Sequence, residues 1–274
     1  MSTEEDKKKG DINDNKELPI NPQTGRVNEM VTVVIPYVKR FALDKKLEYA
    51  IASWLKFFRH PLFNIVVIGD EEEYLKDEEG EEVPTVIAHV CTSDNPQVDL
   101  MEKLKIAIAA PEVADRFILA ADDIFLVSPV TLADIETLKI SKWVTEKSYT
   151  GVKAENYKRT SDLLRINLYP CYETHLPVVF EKEKWIELLE AYPQLSEGGY
   201  FFTSVYFRHF FLDFVPVILD WNEDIYLLPV ISARPDENVF EKLIHQKKFL
   251  TTAQKGFSPW LQNYLACLYS RKNG

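Results

Sequence analysis

The sequence predicts an α/β fold in which a mostly parallel central sheet is flanked by helices. Short runs of branched apolar residues, typical of buried strands, alternate with longer segments whose apolar residues recur at helical spacing. Capping and turn-forming residues stand at the junctions between these segments. The order in the first half is strand, helix, strand, strand, helix, strand, which is typical of parallel strands joined by crossover helices.

The first three strands are predicted from buried apolar runs. Residues 31–36 form a branched run that ends in a proline. A helix follows, with Asp44 as its predicted cap and an apolar stripe that reaches Phe58. Residues 64–70 and 86–90 are predicted to form the second and third strands.

The second helix and the fourth strand complete the predicted sheet. Asn95 and Pro96 form a good helix start, because Asn is a preferred cap and Pro suits the first helical position. The fourth strand, residues 117–120, leads into Asp122 and Asp123. The C-terminal half is irregular and rich in aromatic residues, most of which are expected in the core.

Composition restricts the class of protein. There are 43 acidic and 32 basic residues, giving a net charge of −11, which argues against broad binding of nucleic acid or anionic membrane. The three widely spaced cysteines fit reduced thiols and a cytoplasmic location, and no apolar run is long enough for a transmembrane segment. Residues 1–28 are charged and poor in apolar groups, so they are predicted to form a disordered tail before a single domain at 29–274.

The pair Asp122 and Asp123 is the strongest candidate site. Two adjacent carboxylates between apolar runs are costly unless they are solvated, paired or bound to a metal. Ligands of open α/β sheets collect at the carboxyl ends of strands, where Mn²⁺ or Mg²⁺ on these acids could hold a diphosphate. A helix cap is the alternative, but one cap needs only one Asp.

Other candidates surround the pair in the sequence. His175 precedes an apolar run and follows Glu173, which fits a general acid or base, a metal ligand or a structural histidine. Arg208 could clamp a phosphate or form a salt bridge. Lys103 and Lys105 are candidate substrate-binding residues, although helical geometry turns Lys103 away from the apolar stripe and favours a solvated charge for both.

The opening strand, the run Ile-Val-Val-Ile-Gly-Asp at 65–70 and the strand that ends in the Asp pair together resemble the GT-A glycosyltransferases. In that superfamily an acidic motif binds Mn²⁺ or Mg²⁺ and, through it, a nucleotide-sugar diphosphate. The resemblance implies that Asp122 and Asp123 are the metal ligands here. The usual motif separates the acids by one residue, whereas here they are adjacent.

A narrower resemblance is to the Stealth family of capsular-polysaccharide sugar-phosphate transferases. It covers the helix at 47–54, the strand and Asp pair at 117–125, and the His-x-Pro segment at 172–182. That family's opening Tyr-x-Trp-Val-Asp-Gly block is replaced here by Val-Ile-Pro-Tyr-Val at 34–38. The resemblance implies a role for His175 near a transferring phosphoryl group, with Arg208 offsetting its charge.

These observations predict a GT-A-like, metal-dependent glycosyltransferase. It would move a sugar from a nucleotide-sugar donor to a hydroxyl acceptor such as a glycan, with Asp123 and His175 as catalytic residues. The alternatives are a Stealth-like sugar-1-phosphate transferase and a non-catalytic nucleotide- or partner-binding protein on the same fold. Deleting residues 1–28 is expected to leave the unfolding midpoint nearly unchanged.

Overall fold

A computed structural model gives the fold of the chain. It describes residues 29–75, 84–219, 227–230, 236, 244, 246–252 and 254–270. The segment 1–28, predicted to be a disordered tail, lies outside the described residues. Within the described part, no helix is both long and apolar enough to cross a membrane.

The described residues form a mixture of helices and strands. The strands are β1 Val31–Tyr37, β2 Phe58–Arg59, β3 Phe63–Gly69, β4 Thr85–Ala88, β5 Arg116–Leu119, β6 Ile124–Leu126, β7 Val130–Thr131, β8 Lys139–Ile140, β9 Trp143–Val144, β10 Tyr169–Pro170, β11 Val178–Glu181, β12 Val217–Ile218, β13 Leu227–Val230 and β14 Phe249–Thr252. The α-helices are α1 Lys46–Phe57, α2 Pro96–Ala109, α3 Leu132–Glu136, α4 Val152–Leu164, α5 Lys182–Ala191, α6 Phe202–Phe210 and α7 Pro259–Ser270.

The central sheet has five strands in the order β11-β5-β1-β3-β4. Strand β1 pairs in parallel with both β3 and β5, and β4 continues the parallel set beyond β3. Strand β11 closes the other edge in antiparallel orientation against β5. The prediction of an α/β fold with a mostly parallel sheet and flanking helices is confirmed.

Each face of this sheet is covered by helices. Val33 and Ile35 of β1 pack with Trp54 of α1 on one face. Val34 packs with Met101 of α2 on the opposite face, because successive side chains of a strand alternate between its two sides. Helices α5 and α6 join the second face through several of the aromatic residues predicted in the core, and these side chains are buried.

The predicted elements of the first half agree with the structure, with strand ends shifted by no more than two residues. The cap of α2 is also confirmed, since the Asn95 side chain accepts a hydrogen bond from the Gln97 backbone N–H. The prediction that Asp44 caps α1 is wrong. Helix α1 begins at Lys46, and Asp44 has a positive φ of 46° and accepts a side-chain hydrogen bond from Gln262.

The carboxyl ends of β1 and β3 approach each other so closely that only glycine fits at the end of β3. A β-carbon on Gly69 would lie 1.9 Å from the backbone oxygen of Tyr37, and Gly69 has a φ of +153°. Beyond this point the Asp70 carboxylate accepts a hydrogen bond from the Lys39 backbone N–H at 2.7 Å. The chain segments that leave β1 and β3 are therefore held together at the sheet edge that carries the candidate site.

Candidate functional site

A cleft of about 970 Å³ opens at the carboxyl edge of the parallel strands. Its walls include Pro36 and Val38 from the end of β1 and residues 119–122 from the end of β5. The chain passes from β1 through α1 to β3 on one side, whereas β5 pairs with the other side of β1. The crevice where neighbouring connections diverge in this way is the common ligand-binding place of open α/β sheets.

The Asp pair lies in the turn between β5 and β6, and its two side chains have different surroundings. Asp122 lines the cleft. Burial and the neighbouring charge of Asp123 raise the pKa of Asp122 to about 6. Asp123 instead contacts His175, with Oδ1 2.8 Å from Nε2. Burial acts to raise the pKa of Asp123, but the hydrogen bond and charge of His175 outweigh it and hold that pKa below its ordinary value.

His175 stands at the mouth of the cleft in a strained backbone conformation. Its φ is +68°, which is uncommon for a residue other than glycine, and its side chain is 49% exposed. Such strain is often found at functional sites. The exposure shows that His175 is not a core residue, which was one of the alternatives left open by its sequence context.

The contact with Asp123 fixes which nitrogen of the neutral imidazole carries the proton. The lowered pKa of Asp123 keeps its carboxylate ionised, so it can only accept, and Nε2 of His175 must donate. In the neutral ring, Nδ1 is then the nitrogen able to take up a proton. Partial shielding of the ring from water acts to lower the pKa of His175, but the hydrogen bond with Asp123 and the charges of Asp123 and Asp122 outweigh it and raise that pKa.

The amino-terminal end of α4 brings positive charge to the same cleft. Thr150, Val152 and Lys153 line the cleft where this helix begins. The charge of Lys153 is close enough to lower the pKa of His175 in part. A helix N-terminus presents backbone N–H groups and a partial positive charge, so together with a lysine it suits a phosphate group.

Glu173 binds the first turn of α6, and its carboxyl lies on the cleft wall. One oxygen of Glu173 accepts from the backbone N–H of Ser204 at 3.3 Å, and the other accepts from its hydroxyl at 2.6 Å. Burial raises the pKa of Glu173 to about 7, although these hydrogen bonds act to lower it. The carboxyl of Glu173 is therefore protonated in the folded protein over a pH range in which an exposed glutamate is ionised.

Stability is expected to fall as the pH rises because of Glu173. Between its ordinary pKa of 4.5 and about 7, the unfolded chain has lost the proton that the folded chain retains, so the free energy of unfolding decreases with pH. Glu173→Gln keeps a neutral side chain at every pH and should remove about 2–4 kcal/mol of this decrease. Chemical denaturation of both proteins from pH 4.5 to 7.5 measures the difference.

The control for this prediction is Glu187→Gln, which removes a largely exposed carboxylate. This control should follow the wild-type pH dependence. Equal slopes for the wild type and Glu173→Gln would show that Glu173 is ionised in the folded state.

Lys103 contradicts the prediction of a solvated charge. Its side chain is completely buried, and Nζ donates to the Asp99 carboxylate at 2.7 Å and to the Tyr37 backbone oxygen at 2.9 Å. The lysine can be buried because Asp99 lies one helical turn earlier and because the end of β1 offers a carbonyl group. Lys103 lines the floor of the cleft, but its ammonium group is already bound within the protein.

Lys105 and Arg208 do not meet the other candidates in the cleft. Lys105 is exposed and donates to the Ser196 backbone oxygen at 3.1 Å. Arg208 lies in the last turn of α6 and is absent from the cleft lining, although its charge acts on Tyr172, which does line the cleft. The structure thus brings Asp122, Asp123 and His175 together and leaves these two basic residues outside.

Two cations of this site, Lys46 and Lys153, are not among the candidates predicted from the sequence. Lys46 is buried, with Nζ 3.5 Å from the Thr252 backbone oxygen, and its charge lowers the pKa of both Asp122 and Asp123. In the sequence it stands among the charged residues that open α1, where nothing marks it as buried. Lys153 could have been suspected, because it follows Gly151 at a helix start.

Comparison with known proteins adds no family to this description. No protein-family model matches the chain, and no curated protein sequence matches it. The resemblance to the GT-A and Stealth transferases therefore stays a prediction.

Proposed function

We propose that this protein is a metal-dependent glycosyltransferase of GT-A-like fold, which transfers a sugar from a nucleotide-sugar to a hydroxyl acceptor. The observation that carries the proposal is the meeting of Asp122 and His175 on one cleft, with Asp123 bound to the imidazole at 2.8 Å. A carboxylate for a cation and an oriented base for an acceptor hydroxyl are the two groups that this reaction needs.

The architecture supports a nucleotide-sugar as the ligand. The Asp pair follows the fourth strand of a parallel set, next to the place where the connections of β1 and β5 diverge. The cleft volume of about 970 Å³ is at the upper end of the range that small-molecule sites occupy. Lys153 and the start of α4 would receive the diphosphate.

The residues present fit a Mn²⁺ or Mg²⁺ ion. These cations prefer oxygen ligands, and Mg²⁺ is commonly held by one or two carboxylates together with substrate phosphates and water. Asp122 is the carboxylate directed at the cleft, whereas Asp123 is already engaged with His175. The cation would neutralise charge that develops on the leaving diphosphate.

His175 would act as the general base. Asp123 orients the ring through Nε2, so Nδ1 would accept the proton of the attacking hydroxyl. The resulting imidazolium would be stabilised by the same carboxylate. Asp123 is then a positioning residue, and His175 is the group that touches the substrate.

A sugar-1-phosphate transferase is the second candidate, and Lys153 favours it. A lysine near His175 at the start of a helix could hold a transferring phosphoryl group. Arg208 is not placed for this role, because it does not line the cleft. The two reactions differ in their products. Glycosyl transfer releases a nucleoside diphosphate, whereas sugar-phosphate transfer releases a nucleoside monophosphate.

A thermal-shift panel of nucleotide-sugars, each with and without Mn²⁺, tests the proposal. A ligand that binds only the folded state raises the unfolding midpoint, so at least one nucleotide-sugar should give a shift that requires the cation. The nucleotide released from that donor on incubation with acceptors then distinguishes the two reactions. Binding without any released nucleotide would favour the non-catalytic binding protein, and no shift for any donor would contradict the proposal.

A further inference from the structure

A second group of possible metal ligands lies beside the cleft, between the end of β4 and the first turns of α2. It consists of His89, Asp99 and Glu102, and one ligand atom from each lies within 4.8 Å of the others. Nε2 of His89 is 3.3 Å from Oε2 of Glu102 and 3.8 Å from Oδ1 of Asp99. The two acids are three residues apart on α2, so they share one face of the helix.

Two buried atoms of this group have no hydrogen-bond partner. Oδ1 of Asp99 and Nε2 of His89 are both unsatisfied. The Asp99 side chain is only 8% exposed, and its other oxygen binds Lys103. Buried polar atoms almost always have a partner, so an unsatisfied one that faces further ligand atoms is a candidate metal ligand.

The spacing of the ligand atoms fits a small tetrahedral cation. Zinc bonds of about 2.0–2.2 Å to nitrogen and oxygen place two tetrahedral ligands about 3.4 Å apart. The separations of His89 Nε2 from the two carboxylates, 3.3 and 3.8 Å, lie close to this value. Imidazole suits Zn²⁺ and related transition metals, whereas Mg²⁺ and Ca²⁺ prefer ligand sets made only of oxygen.

We propose that His89, Asp99 and Glu102 bind a divalent transition-metal ion of the zinc class. The cation would satisfy both unpartnered atoms and offset the charge of the two carboxylates, of which Asp99 is also paired with buried Lys103. Three protein ligands leave a fourth position for water. This site is separate from the Asp122–His175 site, and its existence does not depend on the proposed transferase reaction.

The position of the site indicates a structural role next to the cleft. Asp99 lines the cleft, and Lys103 connects it to the Tyr37 backbone oxygen at the end of β1. His89 directly follows β4, where its backbone N–H donates to the Gly69 oxygen. The cation would therefore fix α2 against the ends of β1 and β4 and hold this wall of the cleft in place.

Titration of the metal-free 274-residue chain with Zn²⁺ by calorimetry tests the site. The chain should bind one Zn²⁺ ion. The affinity for this ion should fall about 100-fold or more in His89→Ala and in Glu102→Gln, because loss of even the outer hydrogen-bond partners of metal ligands lowers metal affinity about 10–100-fold. Both variants spare Asp99, whose removal would leave buried Lys103 without its carboxylate. The same Zn²⁺ should raise the unfolding midpoint of the wild type but not of the variants.

Two controls separate this site from other places that bind zinc. His209→Ala removes a more remote His–Glu pair, with Nε2 of His209 4.0 Å from Glu187, and should leave the affinity unchanged. The double variant Asp122→Asn, Asp123→Asn should also keep the Zn²⁺, although it would lose the proposed transferase cation. Equal Zn²⁺ affinity in the wild type and His89→Ala would overturn the site.

Discussion

His175→Asn is expected to lower the turnover of the proposed transferase by about 10²–10⁴-fold, the usual contribution of a general acid or base. Asparagine cannot take up the acceptor proton. It does tolerate the positive φ of 68° at this position, so the backbone should remain unstrained. Alanine is a poorer probe, because a left-handed conformation costs an ordinary residue about 1–2 kcal/mol. Steady-state kinetics and the unfolding midpoint should be measured on the same preparation.

The matched control for this prediction is His209→Asn, which changes an exposed histidine of α6 outside the cleft. It should leave both turnover and the unfolding midpoint close to those of the wild type. If His175→Asn instead lowered the midpoint and kept normal activity per folded molecule, His175 would be a structural residue. The His175–Asp123 contact would then only stabilise the turn that follows β5.

Substitution of the Asp pair is expected to separate binding from turnover. Asp122→Asn removes the carboxylate that faces the cleft and should weaken Mn²⁺-dependent nucleotide-sugar binding by about 100-fold. Asp123→Asn keeps the shape of the side chain but no longer fixes the imidazole tautomer. It should therefore reduce turnover by about 10²–10⁴-fold with a smaller effect on binding.

Calorimetry of the single and double variants with Mn²⁺ and the best nucleotide-sugar measures these effects. Asp162→Asn, an exposed acid on α4, is the control and should bind as the wild type does. Unchanged metal affinity in the double variant would exclude the Asp pair as the cation site. Equal effects of the two single variants on binding would show that both carboxylates hold the cation.

The parallel sheet could be predicted because its strands and helices carry strong local patterns. Runs of branched apolar residues indicate buried strands, and Asn95-Pro96 indicates a helix start, without any knowledge of residues far away in the chain. Asp44 shows the limit of this reasoning. A capping residue is recognised by type, but whether it caps depends on the backbone conformation that the neighbouring chain imposes.

The candidate site could be predicted only in part, because its contacts join residues far apart in the chain. Asp123 and His175 were both recognised from local sequence, yet their hydrogen bond spans 52 residues. Helical geometry placed Lys103 away from the apolar stripe without showing that the end of β1 would cover it. The contacts of His89 with Asp99 and Glu102 could not be predicted either, because they depend on how the end of β4 lies against α2.

Anomalous X-ray diffraction from crystals of the 274-residue chain, grown with Mn²⁺ and a nucleoside diphosphate, tests the proposed cation site most directly. A manganese peak is expected about 2.1 Å from a carboxylate oxygen of Asp122, with the diphosphate between this ion and Lys153 at the start of α4. A peak at His89 alone would leave the Asp pair without a cation. Mn²⁺ and nucleotide bound away from Asp122 would contradict the proposed transferase site.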